Sequence, residues 1–339
     1  MSDKYYSSEE VLRRMQAQVR RASKKMSEIK IAILSGGPSP EREVSLASGN
    51  AVYNALKQDG MNVELVEVEK DILSMTRKRW DRFGLVFNVM HGRYGEDGAV
   101  QGLLDIYGVP YVGSKILGSA ACIDKSFSKL LFTLLSIPTA KWTYVPHLEA
   151  VRPDLVVENW SGPSVVKPIK SGSSLGITFC KDVSELLRQL PGLVKKHKGV
   201  VVEEPIEGRE MSCAVIDSVN PIALPVVEII PQNQEFFSYK AKYTKGETEY
   251  QSPARITGGQ FEKIAEYSLR FFRAAKLSGY ARFDLILDDA GKPIFLECNT
   301  LPGFTQTSLV PMAAKAFGLE YTELLKFLIF DALRIEHYL

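Results

Sequence analysis

Residues Ile29 to Leu34 form a nearly unbroken apolar run, closed by Ser35-Gly36-Gly37-Pro38-Ser39-Pro40. Such a run predicts a strand buried on both faces. Ser39 and Pro40 suit the cap and first position of a following helix, whose pattern runs from about Glu43 to Gln58 and stops at Gly60. Val63 to Val68 reads as a second strand. Gly84 to Met90 reads as a third, leading into His91-Gly92-Arg93-Tyr94-Gly95-Glu96-Asp97-Gly98. Strand–helix–strand alternation predicts a parallel sheet with helices on both faces. Ligands of such sheets bind beyond the carboxyl ends of the strands, and Glu41 and His91 both fall just past such ends.

From about Ser114 the pattern changes. A helix carries Asp124-Lys125-Ser126, with a core stripe along Leu130 to Leu135; strand-like runs follow at Lys141–Val145, Ser164–Pro168 and Gly176–Cys180. A helix at Val183–Gln189 and a strand at Val200–Glu204 complete an α+β unit. The last segment mixes strands (Met211–Ile216, Leu224–Ile230, Ala281–Leu287, Pro293–Cys298) with helices (Phe261–Lys276 and two short ones after Ser308). Pro231 to Thr257 is polar and weakly periodic, which suits a mobile lid. The expected organisation is a basic helical or disordered extension over 1–28, an α/β domain over 29–113, and two α+β subdomains over 114–206 and 207–339. In the extension, Val11, Leu12, Met15 and Val19 sit at helical spacing. It reads as an added helix on the first domain, as a disordered tail, or as a partner-binding arm.

Composition narrows the class. A 339-residue chain with 45% apolar and 24% charged residues is ordinary for a globular enzyme. A net charge of +2 asks for neither nucleic acid nor an anionic membrane surface, and no apolar run reaches the length of a membrane span. The four cysteines, Cys122, Cys180, Cys213 and Cys298, form no CxxC pair and no disulfide framework, which points to a reducing cytoplasm.

The most informative chemistry lies near the end of the chain. Arg282-Phe283-Asp284 closes one apolar strand, and a second delivers Glu297 and Asn299, two apart and so on one face. Asp284, Glu297 and Asn299 offer only oxygen, the donor set of Mg²⁺ carrying a nucleotide. Arg282 shares the face of Asp284 and suits stabilisation of developing negative charge. Gly303 exposes a backbone N–H beside it, and Ser308 opens a helix signal whose N-terminus suits a carboxylate. Upstream, Lys167-Pro168-Ile169-Lys170-Ser171-Gly172-Ser173-Ser174-Leu175-Gly176 joins two strands as a flap whose N–H groups and hydroxyls suit phosphate. Alone, Gly172 and Gly176 read as a hairpin turn, His91 as a structural histidine, and Glu203, Glu204 and Glu210 as surface charges. Gly118 to Lys125 is not a P-loop, because Asp124 stands where its second glycine belongs.

Taken in order, Gly36 to Ser45, the His91–Gly98 HGxxGEDG pattern, the Lys167–Gly176 flap, Lys242-Tyr243, Arg282-Phe283-Asp284, Glu297 to Gly303 and Ser308-Leu309 resemble the D-alanine–D-alanine ligases of the ATP-grasp superfamily, over about residues 29 to 330. The resemblance implies a three-domain ATP-grasp architecture with ATP between two antiparallel sheets. It implies that Lys125, Lys167, Ser174, Glu203, Glu204, Ile206 and Glu210 bind the nucleotide. Asp284, Glu297 and Asn299 would hold two Mg²⁺ or Mn²⁺ ions. Glu41 would take the ammonium of a first D-alanine and His91 would approach its carboxylate, which attacks the γ-phosphate to give D-alanyl phosphate. Arg282 and Gly303 would hold the oxyanion when a second D-alanine attacks. Ser308, Leu309 and Lys242 would bind that second substrate, and Ser173 and Tyr243 would hydrogen-bond toward Glu41 and close the lid. It further implies a cytoplasmic homodimer making D-alanyl-D-alanine for peptidoglycan. The same chemistry with D-lactate or D-serine, a non-catalytic nucleotide-binding regulator, and a bicarbonate-using carboxylase subunit are the competing readings. Ser171 departs from the larger polar residue common in the family, and the basic extension lies outside the family core.

Overall fold

The computed structural model describes residues 8–69, 76–147, 157, 160–170, 172, 176–231 and 248–336. Ser171, Ser173, Ser174, Lys242 and Tyr243 therefore lie outside the described residues.

The apolar runs near the start form a parallel sheet. Strands β1 (Ile31–Gly36), β2 (Val63–Val68), β3 (Leu85–Asn88) and β4 (Tyr111–Val112) lie in the order β2-β1-β3-β4. Every residue of β1 and β3 is buried, as continuous apolar runs covered on both sides require. Helices α2 (Arg42–Gln58), α3 (Arg77–Trp80) and α4 (Ala99–Tyr107) belong to this part. Helix α2 starts at Arg42, not at Pro40. Ser39 still offers its hydroxyl, to the Glu41 N–H at 3.2 Å, and the chain makes one turn before the helix begins.

The next stretch holds two helices rather than one, α5 (Ile116–Ile123) and α6 (Lys125–Leu134). Asp124 breaks them apart, because its side chain caps α6 by accepting from the Ser126 and Phe127 N–H groups. The expected stripe Leu130–Leu135 is only partly a core face. Leu130 and Leu134 are 45% and 72% exposed, whereas Ser128, Lys129 and Phe132 are buried. Strands β5 (Trp142–Pro146), β6 (Ser164–Pro168), β7 (Thr178–Cys180) and β8 (Gly199–Glu203) form an antiparallel sheet in the order β5-β8-β6-β7. Helix α7 (Val183–His197) packs on it through Leu186, Leu190 and Val194. It runs past the expected end at Gln189 with Pro191 inside it, since that buried four-residue repeat continues on both sides of the proline.

A second antiparallel sheet runs β12-β11-β9-β13-β14, with β10 beside β9. Its strands are β9 (Arg209–Ile216), β10 (Ile222–Ala223), β11 (Val227–Pro231), β12 (Thr248–Gln251), β13 (Tyr280–Leu287) and β14 (Pro293–Asn299). Strand β12 thus lies in the stretch read as a lid. Helix α8 (Gly258–Ala274) covers one face and starts earlier than expected, at a capping box made by Thr257 and Gln260. Helices α9 (Leu309–Phe317) and α10 (Tyr321–Ile335) follow.

Within the extension, residues Ser8–Glu28 form helix α1. Val11, Met15, Val19, Ala22 and Met26 are buried in one core cluster with Ile31, Leu85 and residues of α10, including Leu324 and Leu328. Gln16 Nε2 donates to Glu323 Oε1 at 3.1 Å. Met15 is fully buried, so Met15→Ala is expected to lower stability by about 2–4 kcal/mol in urea unfolding. A loss below about 0.5 kcal/mol contradicts a core role for α1.

Candidate active site

Four chain segments converge. Two are the exits of β1 and β3, neighbours in the parallel sheet. The Ser45 hydroxyl ties them together: it accepts from the Gly36 N–H and donates to the Val89 carbonyl, both at 2.8 Å. Glu41 follows the first exit and is buried. His91 follows the second, buried, with Nδ1 3.4 Å from Glu96 Oε1 and Nε2 without a hydrogen-bond partner among the described residues. Glycines let these groups meet. A Cβ on Gly92 would stand 3.3 Å from Glu41 Oε2, and one on Gly172 would stand 2.7 and 2.9 Å from the two Glu41 carboxylate oxygens. The flap residue Gly172 therefore rests directly on Glu41, a contact closed to any side chain.

The third segment is the pairing of β13 with β14. Asp284 lies opposite Glu297, and Arg282 opposite Asn299. Asn299 Nδ2 is 3.1 Å from Asp284 Oδ2 and 3.5 Å from Glu297 Oε1, so one amide N–H group sits between two carboxylates. Arg282 grips Asp284 with Nε and Nη2 at 2.9 and 2.7 Å, and the Ser212 hydroxyl adds a bond at 3.2 Å. Lys125 Nζ lies 2.8 Å from Glu297 Oε2. Burial works against the Lys125 charge, but Glu297, then Glu203 and Glu96, outweigh it and raise its pKa. The donor set is two carboxylates and an amide gathered around positive groups. That arrangement fits a hard divalent cation, with Asn299 turning its oxygen inward. Among the described residues no cluster of three His, Cys, Asp or Glu side chains suits a metal ion.

The fourth segment follows β14. The Phe304 N–H donates to Ser48 of α2 at 3.1 Å, which brings Gly303 beside the Glu41 helix, with Val44 near it. A Cβ on Gly303 would be 3.3 Å from Ser308 Oγ. That oxygen accepts from the Thr305 N–H at 3.0 Å. Leu309 begins α9 and is half-buried against the core.

Beside these lies a buried charge triad. Lys167 on β6 and Lys129 on α6 both reach Glu203 Oε2 at 3.0 Å. Lys129 also donates to Thr139 Oγ1 at 2.8 Å. Burial pushes the Lys129 pKa down to about 8 against the pull of Glu203, with Lys167 adding to the fall. Burial works to raise the Glu203 pKa, yet the two lysines hold it below the usual carboxylate value. Lys129 was missed in the sequence. Its signal was a lysine four residues after Lys125, one helical turn on and so on the same face. Glu204 is exposed and its N–H donates to the Lys141 carbonyl at 2.9 Å; Ile206 and Glu210 are half-buried. The charge of Glu210 acts on Tyr250. The structure thus gathers Glu41, His91, Gly172, Gly303 and Ser308 on one side and Lys125, Arg282, Asp284, Glu297 and Asn299 on another. Lys167 and Glu203 sit with Lys129, and Glu204 points to solvent.

Two ligase-family models match this chain, the D-ala D-ala ligase C-terminus over residues 131–330 and the D-ala D-ala ligase N-terminus over residues 72–114. A D-alanine–D-alanine ligase from Aquifex aeolicus is 40% identical over 306 residues, covering 89% of this chain and all of its own, 100%. One from Carboxydothermus hydrogenoformans is 37% identical over 304 residues, 88% of this chain and 96% of its own. The crystal structure of the Bacillus anthracis D-alanine–D-alanine ligase complexed with ATP superposes with a TM-score of 0.77 at 32% identity, over 91% of this chain and 99% of its own. The VanG D-Ala:D-Ser ligase from Enterococcus faecalis superposes with a TM-score of 0.78 at 30% identity, over 89% and 98%. The fold is an ATP-grasp fold. The chain belongs to the D-alanine–D-alanine ligase family.

Removing Lys129 leaves Glu203 buried on Lys167 alone, with Oε1 lacking a partner among the described residues. Lys129→Met is expected to cost roughly 3–5 kcal/mol in urea unfolding, and Lys129→Met with Glu203→Gln to recover more than half of it. An unchanged unfolding curve for the single variant contradicts the triad.

Proposed function

We propose that this enzyme joins two D-alanines at the expense of ATP, giving D-alanyl-D-alanine, ADP and phosphate for peptidoglycan. The observation that carries the reading is the shared face of β13 and β14, where Asp284, Glu297 and Asn299 meet beside Arg282 and Lys125. Mg²⁺ or Mn²⁺, two ions in the family pattern, supplies neutralisation of phosphate charge when bound there, and Asp284, Glu297 and Asn299 are the residues that would hold it. Lys167, oriented by Glu203, offers an ammonium group to the phosphates, and the fully buried Lys129 behind it adds its charge to the field there. Ser174, Glu204, Ile206 and Glu210 complete the nucleotide set.

Glu41 takes the ammonium of the first D-alanine. His91 donates or accepts at Nε2 toward its carboxylate, its Nδ1 side held by Glu96. That carboxylate attacks the γ-phosphorus of ATP, giving D-alanyl phosphate and ADP; positioning and charge neutralisation carry the step, with no protein nucleophile. The amine of the second D-alanine then attacks the acyl carbon, and Arg282 with the Gly303 N–H steadies the oxyanion. Ser308, Leu309 and Lys242 hold the second substrate. Ser173 and Tyr243 close the flap and lid over Glu41, because water hydrolyses an acyl phosphate.

The assembly reading is a homodimer. Ile106 on α4, Ile116 and Leu117 on α5, and Phe127, Leu130 and Leu134 on α6 are exposed apolar side chains on three successive helices, which supports a face that pairs with a second copy. The four free, buried cysteines support a cytoplasmic setting. Among the described residues no helix is long and apolar enough to cross a membrane.

ADP release over a panel of D- and L-amino acids tests the function. Turnover with D-alanine alone is expected. A requirement for added D-serine or D-lactate moves the acceptor, and no ADP with any amino acid refutes catalysis. Glu297→Gln is expected to reduce kcat at least about 100-fold and to raise the Mg²⁺ concentration needed for half activity; wild-type activity contradicts the metal assignment. Lys129 loses its proton near pH 8, so ATP affinity should fall between about pH 7 and pH 9, while Lys129→Arg, charged throughout, keeps it flat. A wild-type affinity that does not change over that window contradicts a phosphate role for Lys129.

A further inference from the structure

A cavity of about 730 Å³ shares none of its lining residues with the site above. Its size is that of a small-molecule site. Phe261, Ala265, Leu269 and Arg273 line it at every fourth residue of α8, so they form one stripe of that helix, about 18 Å long at 1.5 Å per residue. Val11 and Arg14 of α1 line it as well, together with parts of loops 219–226 and 253–257. Val11 and Arg14 lie outside both family-model matches, and the rest of the lining falls within the C-terminal one.

The charge on the lining has one sign. It includes two arginines and, among the described residues, no aspartate or glutamate. Arg14 Nε is buried without a hydrogen-bond partner among the described residues. Its Nη2 pairs loosely with Asp217 Oδ2 at 3.9 Å, the carboxylate whose Oδ1 is held by Arg334. Arg273 is exposed at the end of the apolar stripe. An apolar floor with cations on its lining and no anion complements a ligand with an extended apolar body and a negative end. The Arg14 side chain is 35% exposed, so its guanidinium is open to such an end.

We propose that this groove binds an elongated amphipathic organic anion, an alkyl chain ending in a carboxylate or phosphate. The chain lies along Phe261, Ala265 and Leu269, and the anionic end sits on Arg14, with Arg273 adding to the field.

Isothermal titration calorimetry on the full chain, kept below micelle formation, tests it with octanoate, decanoate, dodecanoate, dodecyl phosphate and dodecylammonium. The expected result is saturable one-to-one binding of the anions, about fourfold tighter per added CH₂, with no binding of dodecylammonium. Both dodecanoate and dodecyl phosphate should bind, and the tighter of them identifies the preferred head group. Arg14→Glu should weaken dodecanoate about tenfold or more. Arg273→Glu, at an exposed position, should weaken it to a smaller degree and serves where the Arg14 variant does not fold. Absence of saturable binding, equal binding of dodecylammonium, or unchanged affinity in the folded variants overturns the proposal.

Discussion

The register between β13 and β14 is the constraint on which the rest depends. Side chains alternate across a strand, so a slip of one residue would turn Glu297 and Asn299 to the far face and bring Cys298 forward. The pairing that places Asp284 opposite Glu297 is held from both sides. Phe283, Phe295 and Cys298 are buried in the core under α8, while Arg282, Asn299 and Lys125 tie the polar face together. The sheet's apolar underside therefore fixes the geometry of its charged upper side. The same strand, β13, is bonded along its other edge to β9 over eight residue pairs, from Tyr280 to Leu287, so Asp284 stands on a central strand and Glu297 on the edge strand β14 paired to it.

Around that face the molecule arranges charge in balanced groups. Asp284 is matched by Arg282, Glu297 by Lys125, and Glu203 by Lys129 and Lys167. Buried ions without partners are costly, and these pairings give each carboxylate a cation beside it. They also leave each pair with a ready alternative partner, since phosphate suits the lysines and a divalent cation suits the carboxylates. The Glu41–His91 side is built differently. Glu41 and His91 stand at strand exits joined by the Ser45 hydroxyl, and Gly92 and Gly172 provide the room for close approach.

Much of this was legible in the sequence, and the exceptions have physical causes. Val63–Val68 and Ser164–Pro168 form strands over the limits their apolar runs predict. That Glu297 and Asn299 share a face followed from strand periodicity, while the register that sets Asp284 opposite Glu297 did not. Periodicity did not show which side of α6 faces inward. That helix buries Lys129 and exposes Leu134, because a tertiary partner, Glu203, compensates the lysine. Nor did it show the split at Asp124, where a side-chain cap overrides a continuous helical pattern. Helix α7 crosses Pro191 because its packing face continues beyond it. The extension could be read as amphipathic, but its partner, α10, lies some three hundred residues away in the chain and left no local trace.

Anomalous diffraction from crystals grown with Mn²⁺ and a non-hydrolysable ATP analogue tests whether the β13–β14 face holds the cation that accompanies the nucleotide. Manganese peaks are expected about 2.0–2.3 Å from oxygens of Asp284, Glu297 and Asn299, between those side chains and the terminal phosphates. Phosphates bound with manganese elsewhere, and these three side chains still engaged only with Arg282 and Lys125, would contradict this placement.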